Sequence, residues 1–307
     1  MKIYSGLTSL QGQSGTSVAL GFFDGVHLGH QAVINAAVSC GKEKGLEPAV
    51  FTFSLPLTNG LKGGRICTEE EKHRLMESLG VAHYLEPAFA DFCGLSPEDF
   101  VHQVLHQMCR AKAVFCGDNF TFGKKAAGNV QLLKKLCEPL GIQVHQVPMA
   151  VYEGRTVSST RIRLALEAGD IPAANAMLGR PYRVSFPVKH GKGLGRTLGF
   201  PTINQVYPEG FILPKFGIYI TRVEVQPGLW LPGATGFGTR PTVNHSGEGP
   251  TCETFIPGYE GQLYDACPSL EFYQYIAPSK KYDSLEELTA VVLKAAKQAQ
   301  EYFAESR

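Results

Sequence analysis

The chain has 307 residues, about twice the size of an ordinary domain, so its length points to two domains. Its 29 Lys and Arg against 28 Asp and Glu leave a formal charge of +1. That balance excludes a polybasic membrane anchor and a protein that holds long nucleic acids by bulk charge, but leaves room for a local basic site for a nucleotide. An apolar fraction of 44% with 10% aromatics supports packed cores and excludes global disorder.

In chain order, the opening MKIYSGLTSL lacks the basic and apolar regions of a secretion signal. No stretch approaches the ~18 apolar residues of a membrane span, so the expected location is the cytoplasm. The eight cysteines, at 40, 67, 93, 109, 116, 137, 252 and 267, form no CxxC pair. They are expected as reduced thiols packed like small apolar side chains, neither catalytic nor metal-binding.

Residues 16–23 (TSVALGFF) read as a buried strand, followed by a glycine-containing turn and a helix over 31–43. A strand over 48–53 precedes a helix over 68–79, with Thr68 as its N-cap and acids in its first turn. A short strand at 82–85 leads to a helix over 96–109, opened by a Ser cap and a proline. Strand 113–116, helix 129–137 and strand 144–148 complete the series. This alternation predicts a parallel sheet covered on both faces, which binds ligands beyond the carboxyl ends of its strands. The character changes near 178–182 (LGRPY), with helical residues 160–177 bridging the halves. Short β-rich runs at 182–188, 217–225, 234–238 and 269–276 then predict a small antiparallel barrel or sandwich, closed by a helix over 285–303.

Four segments could carry chemistry. In GFFDGVHLGHQ (21–31), glycines at 21, 25 and 29 and the imidazoles of His27 and His30 sit just ahead of a helix. Glycines allow close approach to a ligand, helix N-termini favour anions, and paired imidazoles can donate to phosphoryl oxygens that gain charge. In SSTRIR (158–163), hydroxyls and two arginines enter a helix and can grip a triphosphate, although an N-cap followed by a solvated basic turn would look the same. GDNFTFGKKAAGN (117–129) is not a P-loop: position 118 is Asp where Gly is needed, and Lys125 stands where Ser or Thr belongs. GKGLGRTLGFPTIN (191–204) matches no dinucleotide fingerprint, but Gly191, Gly193 and Gly195 with Lys192 and Arg196 make a cationic loop suited to phosphates. Thr202 and Asn204 there offer oxygen ligands for Mg²⁺, while a plain glycine-rich hairpin is the simpler reading. Glu253, in TCETF, could be a general base for an alcohol or a surface residue on an edge strand. His102 and His106 read as helix-face residues, because HQVLH lacks the glutamate of a zinc motif.

GFFDGVHLGHQ, GDNFTFG, SSTRIR, GKGLGRTLGFPTIN, GTRPTVN and CETF together resemble the bacterial bifunctional riboflavin kinase/FMN adenylyltransferases (prokaryotic FAD synthetases), over nearly the whole chain. The resemblance implies an α/β protein: a Rossmann-like nucleotidyltransferase domain with a parallel sheet over 1–180, then a small antiparallel β-barrel riboflavin-kinase-like domain with a C-terminal helix over 181–307. It implies ATP-dependent phosphorylation of riboflavin to FMN, and adenylylation of FMN to FAD with release of pyrophosphate. By the same resemblance His27, His30 and Arg163 act in adenylyl transfer. Gly21, Phe23, Asp24, Gly29, Asn119, Ser159, Thr160 and Arg161 bind ATP there. Gly191, Gly193, Gly195 and Arg196 bind phosphate in the kinase, Thr202 and Asn204 hold Mg²⁺, and Glu253 takes the ribityl proton. The implied partners are ATP, riboflavin and FMN, with no nucleic acid or membrane; the oligomeric state stays open.

Several positions depart from the family pattern. Ser54-Leu55-Pro56-Leu57 stands for an acid-Pro-His-Pro sequence, Gly128-Asn129 for Gly-Asp, Pro-Thr-Ile-Asn for Pro-Thr-Ala-Asn, and Leu263-Tyr264-Asp265 for Leu-Tyr-Gly. Ala277 and Ser279 occupy the Arg and Glu places of a C-terminal Arg-x-Glu-x-Lys-Phe expected near flavin. Loss of one charge-assisted contact costs ~1.5–3 kcal/mol. Two alternatives therefore stand beside the bifunctional enzyme: an adenylyltransferase whose kinase is weak or lost, and a flavin- or nucleotide-binding regulatory protein on the same scaffold.

Overall fold

The computed structural model describes residues 1–10, 15–56, 63–191, 195, 198–239, 249–279 and 284–305. Its contacts define two compact units, one of Met1–Pro56 with Glu69–Ser158, the other of Leu57–Thr68 with Ser159–Arg307.

The first unit is built on strands β1 (Lys2–Tyr4), β2 (Thr16–Leu20), β3 (Glu47–Phe51), β4 (His83–Leu85), β5 (Ala111–Gly117) and β6 (Gln143–Val147). They form one six-stranded sheet, in the order β1-β4-β3-β2-β5-β6, and every pairing is parallel. All five residues of β2 are buried because both faces are covered. Val18, Leu20, Ala49, Phe51, Val114 and Cys116 enter one apolar cluster, whereas Ala19, Val50, Ala113 and Phe115 enter another. This is the two-residue alternation of strands lying between two layers. Helices α1 (Leu28–Lys44), α2 (Glu69–Ser78) and α3 (Val130–Cys137) cover the faces. Residues 96–109 differ from the single α-helix expected: Ser96 caps Pro97–Asp99, and Phe100–Met108 continues as a π-helix. His102 and His106 lie exposed on it. Strand order runs one way from β2 through β3 and β4 and the other way through β5, so the switch point lies between β2 and β5. Ligands bind open α/β sheets at such points, beyond the carboxyl ends of the strands.

In the second unit the expected bridge 160–177 is two helices, α4 (Ser159–Ala168) and α5 (Ile171–Leu178). Gly169 and the Asp170 N-cap, followed by Pro172, end one and start the other. Seven strands follow: β7 (Tyr182–Ser185), β8 (Val188–Lys189), β9 (Thr202–Val206), β10 (Gly217–Gln226), β11 (Leu229–Gly238), β12 (Thr251–Phe255) and β13 (Ser269–Pro278). They make a wholly antiparallel sheet in the order β7-β13-β10-β11-β12-β9-β8. Its two edge strands, β7 and β8, are joined only by Phe186 and Pro187, so the sheet must curl until its edges approach each other. The concave side is filled by Tyr182, Val184, Tyr219, Val223, Phe237, Leu270 and Phe272. A final helix, α6 (Leu285–Glu305), packs against β10 and β11.

Six of the eight cysteines are buried and none is joined in a disulfide. Burial pushes Cys109 and Cys137 up to about 12 and Cys116 to about 11, which leaves them protonated and unreactive at neutral pH.

Candidate active sites

The carboxyl end of β2 runs into Gly21 and then α1, while that of β5 runs into Asp118 and Asn119, so both predicted segments flank the switch point. His27 is the N-cap of α1: its Nδ1 accepts the backbone N–H of His30 at 3.3 Å. Accepting there puts the proton of the neutral ring on Nε2, a donor. The His30 ring stacks on His27 with centroids 3.5 Å apart and 18° between planes, and Phe23 meets His30 edge-on at 5.3 Å. A Cβ on Gly29 would lie 3.2–3.3 Å from the His27 ring, so the glycine lets the imidazole lie against the helix start.

The turn itself is strained. Phe23 and Val26 have φ of +56° and +40°, and positive φ is costly for a β-branched residue. Two residues that the sequence did not single out hold it: Thr52 Oγ1 donates to the Phe22 carbonyl at 3.0 Å, and Gln31 Nε2 to the Val26 carbonyl at 2.9 Å. Asp24 and His27 are buried beside it. An aromatic ledge was also not foreseen. Phe53 lies 4.9 Å from both Phe22 and Phe89, and Phe89 is 42% exposed. Next to Phe22, Lys72 Nζ sits 3.0 Å from Glu86 and 3.5 Å from Glu69. Glu69, His73 and Glu86 group their ligand atoms within 4.8 Å, and the Lys72 ammonium already supplies that cluster with a cation.

Ser159, Thr160, Arg161 and Arg163 open α4 and belong to the second unit. Thr160 is exposed and Arg163 buried, with Arg163 Nε donating to the Gly64 carbonyl at 2.7 Å. Asn129, at the Gly-Asn departure, caps α3 by accepting from Leu132 N–H.

The sheet of the second unit brings Thr202, Asn204 and Glu253 together on its convex face. Glu253 is not on an edge: β12 pairs on one side with β9 and on the other with β11. One register row carries Asn204, Glu253, Gly236, Ile218 and Ala277 across five strands. The next row places Thr202 opposite Phe255 and Phe255 opposite Ala234. Directly paired residues share a face, so Thr202, Asn204 and Glu253 project together. Thr202 and Glu253 line a cavity of about 260 Å³ with Ile218, Phe255, Ser279 and, from α6, Leu288, Val292 and Ala295. Thr202 also lines a second hollow of about 480 Å³ with Pro201, Tyr259, Glu260 and Tyr264. Tyr264 stacks on His190 at 3.9 Å. Gly191 comes so close that a Cβ would lie 2.6 Å from Asn204 Nδ2, and Gly195 lies at the rim of the smaller cavity. Gly193, Lys192 and Arg196 lie outside the described residues.

Residues 9–161 match the FAD synthetase family model, and 178–303 match that of riboflavin kinase. Proteins named bifunctional riboflavin kinase/FMN adenylyltransferase are similar along nearly their whole length. The one from Bacillus subtilis is 33% identical over 96% of this chain and 95% of its own. The one from Listeria monocytogenes is 34% identical over 94% and 92%, and that from Escherichia coli K12 31% over 99% and 98%. The chain belongs to this bifunctional family. A crystal structure titled as a macrolide-efflux protein from Streptococcus pneumoniae also matches, with a TM-score of 0.82 and 27% identity over 94% of both chains. Among the described residues of this family member, no helix is long and apolar enough to cross a membrane.

Proposed function

We propose that this protein makes FAD in two ATP-dependent steps, with phosphorylation of riboflavin assigned to 181–307 and adenylylation of FMN to 1–180. The observation that carries the kinase half is the register row that sets Asn204 against Glu253 beside a cavity faced by apolar side chains. Riboflavin occupies the smaller cavity, where Ile218, Phe255, Leu288 and Val292 suit an isoalloxazine, and ADP fits the hollow beyond Thr202. Glu253 accepts the ribityl hydroxyl proton as the oxygen bonds to the γ-phosphorus and the bond to ADP breaks. Thr202 and Asn204, hard oxygen donors on the face of Glu253, fit Mg²⁺ and would hold it. Bound there, the ion would neutralise phosphate charge. Gly191, Gly193, Gly195 and Arg196 hold the phosphates.

In adenylyl transfer an FMN phosphate oxygen attacks the α-phosphorus of ATP and pyrophosphate leaves. His27 and His30, at the start of α1, hold the ATP phosphates and stabilise the charge that develops. Gly21, Phe23, Asp24, Gly29 and Asn119 line the nucleotide site, and Ser159, Thr160, Arg161 and Arg163 serve the same reaction. The ledge of Phe22, Phe53 and Phe89 offers the flavin ring a stacking face. Ser279 lines the kinase cavity where the family pattern has Glu, and Leu288, Val292 and Ala295 of α6 give that cavity an apolar wall. None of the eight cysteines is joined in a disulfide, which suits the reducing cytoplasm, where we place the enzyme.

The test is a chromatographic time course of purified protein with ATP and Mg²⁺, given riboflavin in one tube and FMN in another. FAD from both tubes is expected. FAD from FMN alone leaves the adenylyltransferase with a lost kinase, and no conversion leaves the binding protein.

A further inference from the structure

The helix that walls the riboflavin cavity is held at its far end. Along α6, residues 288, 292, 295, 299 and 302 recur at steps of four and three, a single stripe of a helix. Leu288, Val292 and Ala295 in this stripe line the cavity. Ala295, Ala296 and Ala299 are buried, and the first two pack with Ala234, Ile218, Phe255 and Ile276. Such small residues let the helix approach the sheet but interlock with it weakly. At the other end, about 21 Å from Leu288, the Tyr273 ring meets Tyr302 at 5.8 Å and Phe303 at 4.7 Å, both edge-on.

Tyr273 is itself fixed. Its hydroxyl donates to Glu271 Oε2 at 2.8 Å, and that carboxylate, 2% exposed, also accepts from Arg222 Nε at 2.6 Å and from Arg183. Both guanidinium groups lie over Trp230, at 4.9 Å for Arg183 and 4.8 Å for Arg222, and Arg222 also lies 5.4 Å from the Tyr273 ring. The row Arg183–Glu271–Arg222 crosses β7, β13 and β10 and ties the clamp to three strands at once.

We propose that Tyr273 is a positioning residue for riboflavin phosphorylation: by gripping Tyr302 and Phe303 it sets where α6 lies and so the width of the riboflavin cavity. The inference rests on the reading of that cavity as the flavin site. Aromatic pairs of this kind are worth about two- to tenfold in an equilibrium. Phe303→Ala and Tyr273→Ala are therefore expected to raise KM for riboflavin by about that factor with kcat little changed. FAD formation from FMN stays unchanged in the same preparations, and Phe303→Tyr, which keeps the ring that Tyr273 grips, restores KM. A purely structural role would lower the folded fraction, reducing kcat and leaving KM where it was.

Val292→Trp, which fills the cavity directly, separates the two readings. If it leaves riboflavin KM unchanged, the cavity is not the flavin site. If it raises KM while Phe303→Ala, folded by circular dichroism, does not, the positioning role of Tyr273 is overturned.

Discussion

His27 uses one imidazole in two ways. Nδ1 caps α1 by accepting from His30 N–H, and Nε2–H can meet a phosphate at the same helix start. Substitution by Ala removes both functions, whereas Asn keeps a capping oxygen and removes the ring. His27→Asn is therefore expected to unfold at nearly the wild-type temperature while FAD formation from FMN falls about 10²–10³-fold, with FMN formation from riboflavin intact. His27→Ala should show the same loss of activity plus about 1 kcal/mol of lost stability. Equal loss of both activities in His27→Asn would end the division of labour proposed here. Glu253→Gln makes the converse prediction. It keeps the shape on β12 but cannot take the ribityl proton, so FMN formation is expected to fall about 10²–10⁴-fold while FMN is still converted to FAD. The same chromatographic assay reads both variants.

Among the strands, the Glu271 clamp makes stability depend on pH. Burial pushes the Glu271 carboxyl up, but hydrogen bonds from Arg183 and Arg222 outweigh this and hold it below its ordinary value. A lowered carboxyl favours the folded state above the unfolded value of ~4.3 and loses that contribution as pH falls through the folded value. Glu271→Gln is expected to be less stable at neutral pH, because both arginines lose their counter-charge, and the gap to wild type should close as pH drops below ~4. Thermal unfolding followed from pH 7 to 3 checks the sign. A gap that stays constant across that range would show that the carboxylate charge contributes nothing.

Elements whose partners lie close in sequence were the legible ones: β2 by its apolar run, α3 by Asn129, and Pro97–Asp99 by Ser96 and its proline. Strand β9 was hidden because Thr, Asn and Gln look like a loop. Only the fold gives Gln205 its buried acceptors, the carbonyls of Phe186 and Pro268. Strand β1 was too short to show a pattern. In the sites, the spacing of His27 and His30 was readable, as were Thr202, Asn204 and Glu253. Gln31, Thr52 and Val292 were not, since strand register and packing across the fold bring them in.

For the whole molecule, the chain passes between the two compact units at 56/57, 68/69 and 158/159. Segment Leu57–Thr68 therefore belongs with the second unit although it lies between β3 and α2 in sequence. Its Arg65 exchanges backbone hydrogen bonds with Gly210 and Ile212, and Arg163 holds the Gly64 carbonyl. No single cut separates the units without leaving a piece of one on the other, so the two activities are better separated by point variants of the full chain. His27→Asn is expected to retain the kinase and Glu253→Gln the adenylyltransferase, so neither alone should carry riboflavin to FAD at the wild-type rate. Mixed in one tube, they are expected to do so through FMN released into solution. FMN should accumulate first, FAD should follow after a lag, and the lag should shorten as the Glu253→Gln protein is increased. If the mixture makes no more than one FMN per kinase site and no FAD, while Glu253→Gln alone still converts added FMN, then FMN made by the kinase is not released. The two steps would then have to occur within one chain.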